Sequence, residues 1–429
     1  MAPTSNLPLF YFGAAHVSLA LACAALFVWP ALPGPFFLHP KMVALVHLLT
    51  LGWLSGSVLG AFYIVAPLAL RMPLPVGRVD WVMAISFTGG TAGLVWHAWH
   101  AEYDGVAWSA LSIGAACVWV AQRVWRGLRT AVVPWPISVH IALAFINLLA
   151  SVVYGGLVAW DKASGFLSYS PMLMAFAHAH LAAIGWVLMM VVGLSYRLIP
   201  MFLPAAMPTG GALVWSAVLI EVGLIGLVLA LPVGHAALPF AAATIVAGLV
   251  VFVRQIRGAL AHRMPRPPAL PARDWSTWQT HTALAWLAVA VVAGLWLTFA
   301  EPSPSTPRLM WTYGVAGLVG FLAQIVVGIQ GRLVPMYLWY RAWDRRPGPP
   351  PAVSANALPS AQWARPIFLL WLVGVPALVW GLTMHNPAVI RMAAGLLFVG
   401  VACNALYLVA MFRRVGSSTS QSASPSSLR

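Results

Sequence analysis

Two histidines separated by one residue, Ala177-His178-Ala179-His180, sit inside a long apolar run. Residues two apart on an α-helix point roughly 200° from one another. The two imidazoles therefore cannot chelate one metal together, but they can serve two sites, one on each flank of the helix. His47 stands near the start of a similar apolar run, and Tyr313 near the start of a third. An ionisable side chain inside a membrane is costly and marks function by default. Neutral imidazole is a ligand for haem iron, and two of them saturate it.

The three runs align without gaps: HLLTLGWLSGSVLGAFYIVAPL (47–68), HLAAIGWVLMMVVGLSYRLIPM (180–201) and VAGLVGFLAQIVVGIQGRLVPM (315–336). Gly52, Gly185 and Gly320 correspond, as do Pro67, Pro200 and Pro335. His47 and His180 are then equivalent and point in the same sense around a central axis. Leu45 and Tyr313 are equivalent to His178 and point in the opposite sense. A site between neighbouring inner helices needs one residue of each sense. One handedness pairs His47 with His178 and His180 with Tyr313, and leaves Val315 facing Leu45. The other pairs His47 with Tyr313 and strands both remaining histidines against apolar side chains. The first is the expected arrangement. His47 and His178 would suit electron transfer. His180 opposite Tyr313 would leave an iron position open for O2 or NO.

The elements that hold these residues follow from composition. Of 429 residues, 61% are hydrophobic and 7% charged, where a soluble domain carries about 25% charged residues. That excludes a soluble globular fold and a disordered chain. A helix crosses a bilayer with roughly 20 apolar residues. Twelve such runs lie near 9–31, 40–69, 78–100, 106–124, 137–160, 170–200, 211–231, 236–255, 278–300, 308–339, 366–384 and 388–412. The expected fold is therefore all-α: a polytopic membrane protein in a lipid bilayer, with twelve transmembrane helices. They form one membrane domain, 1–414, of three four-helix units (9–124, 137–255 and 278–412) about a pseudo-threefold axis. Residues 415–429 are Ser-rich and read as a disordered tail.

The net charge of +15 is a topology signal. Four of the 23 Lys and Arg residues, Lys41, Lys162, Arg308 and Arg391, fall in one set of alternate loops, and the other 19 fall in the opposite set or the termini. Positive charge stays cytoplasmic, so both termini are expected on the cytoplasmic side of a bacterial-type inner membrane. Nucleic acid is not an expected partner. Cys23, Cys117 and Cys403 are isolated and form no CxxC motif, which argues against a thiolate metal site. The first apolar run lacks a basic leader and is expected to be kept as a span.

Other residues have competing readings. In Trp96-His97-Ala98-Trp99-His100 the two histidines share a helix face and could hold copper, or belong to an interfacial aromatic belt. Glu221, mid-span, is a candidate proton relay or a hydrogen-bonded structural carboxyl. His16, His140 and His281 recur near the starts of the first, fifth and ninth spans and read as shared packing. His100, His235 and His385 recur near other span ends. Asn147 and Gln324 read as interhelical polar contacts, Met172, Met174, Met189 and Met190 as core filler, and Arg197 and Arg332 as snorkelling anchors.

Twelve helices in three units, a histidine in the second helix and an H-x-H helix together resemble the catalytic subunits of haem-copper oxidases and nitric-oxide reductases. The segment FAHAHLAAIGWVLMMVVGLSYRLIP is similar to the NnrS group of twelve-span haem-copper proteins linked to nitric-oxide handling. The resemblance implies that His47 matches the family's low-spin haem ligand. The family's H-x-H lies on the tenth helix, where this chain has Tyr313 and Val315; here the pair lies on the sixth. No HPxxY-type segment is present, so the resemblance does not extend to an oxidase-type copper centre. The expected function is a b-type haem membrane protein transferring electrons or binding or reducing NO or O2. His47, His178 and His180 are the cofactor ligands and Tyr313 and Glu221 the catalytic candidates. One haem b is expected, with a second at His180 and copper as further candidates. Electrons would come from a separate cytochrome, cupredoxin or quinol. The competing expectations are a haem or copper transport or insertion protein using the same histidines, and a metal-free scaffold.

Overall fold

The computed structural model describes residues 5–34, 37–233, 236–265, 274–301, 303–344 and 355–421. His235 and the tail residues 422–429 lie outside these. Among these residues twelve long helices follow one another: α1 Leu7–Val28, α2 Pro40–Leu68, α3 Arg78–Trp99, α4 Tyr103–Leu128, α5 Trp135–Ser164, α6 Pro171–Phe202, α7 Val214–Ala230, α8 Leu238–Ala261, α9 Trp275–Phe299, α10 Thr306–Trp343, α11 Ala361–Thr383 and α12 Pro387–Gln421. Among the described residues, eleven are long and apolar enough to cross a membrane. The twelfth, α3, is 22 residues long and carries Arg78 and Asp80 in its first turn. The last helix runs through 415–421, where the sequence suggested a tail.

Local chemistry sets the helix ends. Proline opens α2, α5, α6, α8, α10 and α12 or stands at their second position, where its missing N–H costs nothing. Gly165 ends α5 in the left-handed conformation, with φ 67°, a backbone position glycine adopts without strain. Asp274 caps α9 by accepting from the Ser276 amide at 3.2 Å and is also paired with Arg332.

The three aligned runs are broken in the same way. In α2, α6 and α10 the backbone widens into π-helix at Leu48–Ser55, Leu181–Leu188 and Ala316–Ala323. Each stretch starts immediately after His47, His180 or Val315. The three π segments meet in the middle of the bundle. Trp53 Nε1 donates from α2 to the Ala323 carbonyl of α10 at 3.4 Å, and Trp186 Nε1 donates from α6 to Ser55 Oγ of α2 at 3.1 Å. Gly185, mid-segment, is crowded: a Cβ there would lie 2.8 Å from Asn147 of α5. Outside this core, α4 packs on α5, α8 on α9, and α12 returns to α1, so the outer helices close a ring.

Below the π segments the inner helices are densely buried; Gly56–Ser57–Val58–Leu59–Gly60 on α2 is fully so. Above them the short arms 40–47, 171–180 and 306–315 lean on outer helices: the first on α3, the second on α5 and α7, the third on α9 and α11. This splay makes the site.

Candidate functional site

The arms bring four of the expected side chains together in two pairs. The His47 and His178 rings lie 19° from parallel with centres 6.3 Å apart, and no hydrogen bond joins them. His180 and Tyr313 also lie 19° from parallel, with centres 5.7 Å apart, and here His180 Nε2 and the Tyr313 hydroxyl are hydrogen-bonded at 2.8 Å. The arrangement has the handedness chosen from the sequence. His178 and His180 leave opposite flanks of α6, as their two-residue spacing requires.

Backbone carbonyls fix the tautomers. His47 Nδ1–H donates to the Val43 carbonyl at 2.7 Å, and His180 Nδ1–H to the Phe176 carbonyl at 2.7 Å. A neutral imidazole with its proton on Nδ1 has a lone pair on Nε2. His47 Nε2 is thus available as a ligand, while His180 Nε2 accepts from the Tyr313 hydroxyl. His178 Nδ1 is buried without a hydrogen-bond partner; the Ser151 carbonyl approaches the ring. A metal-bound histidine commonly donates its other ring N–H to such a carbonyl.

Glycines on the outer helices make room for two of these rings. A Cβ on Gly155 of α5 would lie 2.6 Å from His178 Cε1 and 3.1 Å from both ring nitrogens. A Cβ on Gly294 of α9 would lie 2.8 Å from Tyr313 Cε2. Gly155 and Gly294 were missed in the sequence; the signal was their similar placement in the helices that precede His178 and Tyr313. Tyr154 lies beside the first pair, its ring 6.4 Å from His178 and 15° from parallel. At the outer end Phe37 bridges the arms, with its ring 6.0 Å from Phe176 and 4.8 Å from Trp311. All four site rings are half-buried, between the arms of α2, α6 and α10 and the Gly155 and Gly294 faces of α5 and α9.

The remaining candidates are engaged elsewhere. Glu221 Oε2 accepts from Asn147 Nδ2 at 2.8 Å, and the same amide reaches the Gly185 carbonyl at 3.3 Å. That places the carboxyl beside the π segment of α6 rather than at either ring pair. His97 Nδ1 bonds Glu102 at 2.7 Å, and His100 lies 4.5 Å from the Trp96 ring. Among the described residues no three His, Cys, Asp or Glu side chains converge as metal ligands. His16 and His140 are buried hydrogen-bonders: His16 Nε2 accepts from Asn404 at 3.0 Å, and His140 Nε2 meets Ser216 Oγ at 2.9 Å. His281 is exposed, so the three do not share one packing role. Asn147 links helices as expected, whereas both Gln324 side-chain polar atoms are buried without a partner.

Sequence reasoning also missed Asp80. It is buried at 1% exposure yet fully engaged by the Tyr63 hydroxyl at 3.0 Å, Trp119 Nε1 at 3.2 Å, the Gly77 amide at 2.7 Å and Arg123 at 3.4 Å. Its role is to tie α2, α3 and α4 together.

The chain matches no family model and no curated protein sequence, and the likeness to haem-copper oxidases remains an expectation drawn from its residues.

Proposed function

We propose that this chain is an integral membrane b-type haem protein whose axial ligands are His47 and His178. The observation that carries the reading is the spacing of those two rings. Two imidazoles on one iron stand with ring centres about 6 Å apart, from metal–nitrogen bonds of roughly 2 Å and about 1.1 Å from each nitrogen to its ring centre. The near-parallel pair at 6.3 Å fits that span. The donor set also suits haem: the macrocycle brings four nitrogens and asks the protein for one or two, whereas a bare cation would find two imidazoles here. The Gly155 cradle, which seats the His178 ring, adds to the fit.

Haem bound by two imidazoles supplies a one-electron couple suited to electron transfer. The chain's own residues do the rest. The Val43 carbonyl holds the His47 tautomer. Phe37 packs on Phe176 and Trp311 at the outer end of the arms, where the three rings would shield a bound haem from water. Electrons would come from a separate cytochrome, cupredoxin or quinol. Binding of NO or O2 at His180 is the narrower part of the proposal. A metal between two ligand atoms needs about 4 Å, so the 2.8 Å His180–Tyr313 bond would first have to part. We include a second haem there only on that condition, and place no copper at His97 and His100.

The proposal includes architecture. We read the twelve helices as spans in three four-helix units about a pseudo-threefold axis, with both termini in the cytoplasm of a bacterial-type inner membrane. The recurrent π segments and the cyclic Trp53 and Trp186 hydrogen bonds support the units. Alternate-loop arginines support the orientation.

The test is the reduced optical spectrum of protein purified after haem-replete expression. A stoichiometric low-spin b-type signal, lost in His47→Ala and in His178→Ala, is the expected result. A colourless protein would reject the proposal, and sub-stoichiometric exchangeable pigment would favour haem transport.

A further inference from the structure

The outer surface carries a groove of about 290 Å³ between α4 and α5. Val118, Trp125 and Leu128 wall it on one side, and Ala142, Ile146 and Leu149 on the other. Its lining side chains are apolar apart from the Gln122 amide and the Trp125 indole N–H. From Val118 to Leu128 the α4 wall runs about 15 Å along the helix. That is half of a hydrocarbon core of roughly 30 Å, the length of one leaflet.

The groove has a charged mouth at one end only. Four residues beyond Gln122 stands Arg126, and four beyond Trp125 stands Arg129, on the continuation of the same helix stripe. Both arginines are exposed, and the ion pairs among the described residues lie elsewhere. Trp135, exposed at the start of α5, lies at the same end of the bundle, where a tryptophan suits the headgroup level.

We propose that this groove binds one anionic phospholipid, with an acyl chain between α4 and α5 and its phosphate at Arg126 and Arg129. The distribution of polarity favours a lipid over a quinone. A quinone ring would need hydrogen-bond partners along the groove, whereas here cations gather at the mouth and the walls are apolar. Basic residues near a membrane surface attract anionic headgroups.

The experiment is native mass spectrometry of the delipidated full-length protein in detergent. Phosphatidylglycerol and phosphatidylcholine of matched chains are titrated separately. Wild type is expected to hold one phosphatidylglycerol more tightly than phosphatidylcholine. The double variant R126Q/R129Q should weaken phosphatidylglycerol about thirtyfold, from two lost cation contacts at a headgroup surface, and weaken phosphatidylcholine, whose choline cation offsets its phosphate, far less. Ala142→Phe should fill the groove and weaken both lipids. Equal affinity for the two lipids in wild type, or no change in R126Q/R129Q, overturns the proposal. So does displacement of the bound lipid by an equal concentration of ubiquinone. The arginine variants lie at the exposed mouth, so their result stands even if Ala142→Phe fails to fold.

Discussion

Replacing Gly155 by alanine tests the haem reading at a residue that would not itself touch iron. The added methyl would sit 2.6 Å from His178 Cε1 and 3.1 Å from both ring nitrogens. Carbon contacts are comfortable at roughly 3.5–4.0 Å, so the imidazole must retreat by about 1 Å. Metal–ligand distances in a real site hold within about 0.2 Å. The variant should therefore lose the His178 bond while keeping His47, which converts a low-spin signal to a high-spin one. Overpacking adds a stability cost of about 1–3 kcal/mol. Gly156→Ala is the built-in control, because its methyl would meet only Ala110 at 3.8 Å. The assay is the optical and paramagnetic resonance spectrum of each purified variant, beside a detergent melting curve. A Gly155→Ala protein with the wild-type low-spin spectrum would refute the reasoning, since His178 could then be no ligand.

Three further outcomes follow from the same geometry. Tyr313→Phe should leave the low-spin spectrum intact, because Tyr313 and His180 occupy the other flank of α6, and should cost about 1 kcal/mol in a melting measurement for the lost hydrogen bond. A lost low-spin signal there would mean that the two pairs are one site. Asn147→Leu deprives Glu221 of its amide donor and should destabilise the fold by about 1–3 kcal/mol without changing the spectrum; Glu221→Gln should be much milder. Trp186→Phe removes the donor to Ser55 at the centre of the bundle. It should lower the melting temperature with haem content unchanged, and haem loss at full stability would contradict that structural role.

The long helices were legible in the sequence because each is an apolar run of about 20 residues or more between Pro, Gly or Arg, and most of the expected boundaries fall close to the helix ends. The span expected at 40–69 is Pro40–Leu68. Ring pairing was legible for a different reason. A gap-free alignment fixes rotational equivalence, and the two-residue spacing of His178 and His180 forces them onto opposite flanks. The π segments were not legible, since nothing in the apolar pattern of LLTLGWLS or LAAIGWVL separates a π-helix from an α-helix. Nor was the His180–Tyr313 hydrogen bond, because equivalence gives direction and not distance. The shared role assigned to His16, His140 and His281 failed because position near a helix start does not fix the helix face. Asp80 went unseen because a lone acid in the first turn of α3 looks like an ordinary helix-start residue, and its partners come from three separate segments.

The most direct measurement is a density map of the purified, haem-replete protein by electron cryomicroscopy. The account predicts a flat macrocycle between α2 and α6, with His47 Nε2 and His178 Nε2 on opposite faces of its centre. Packed side chains filling that space, with the two rings in contact and no macrocycle between them, would contradict it.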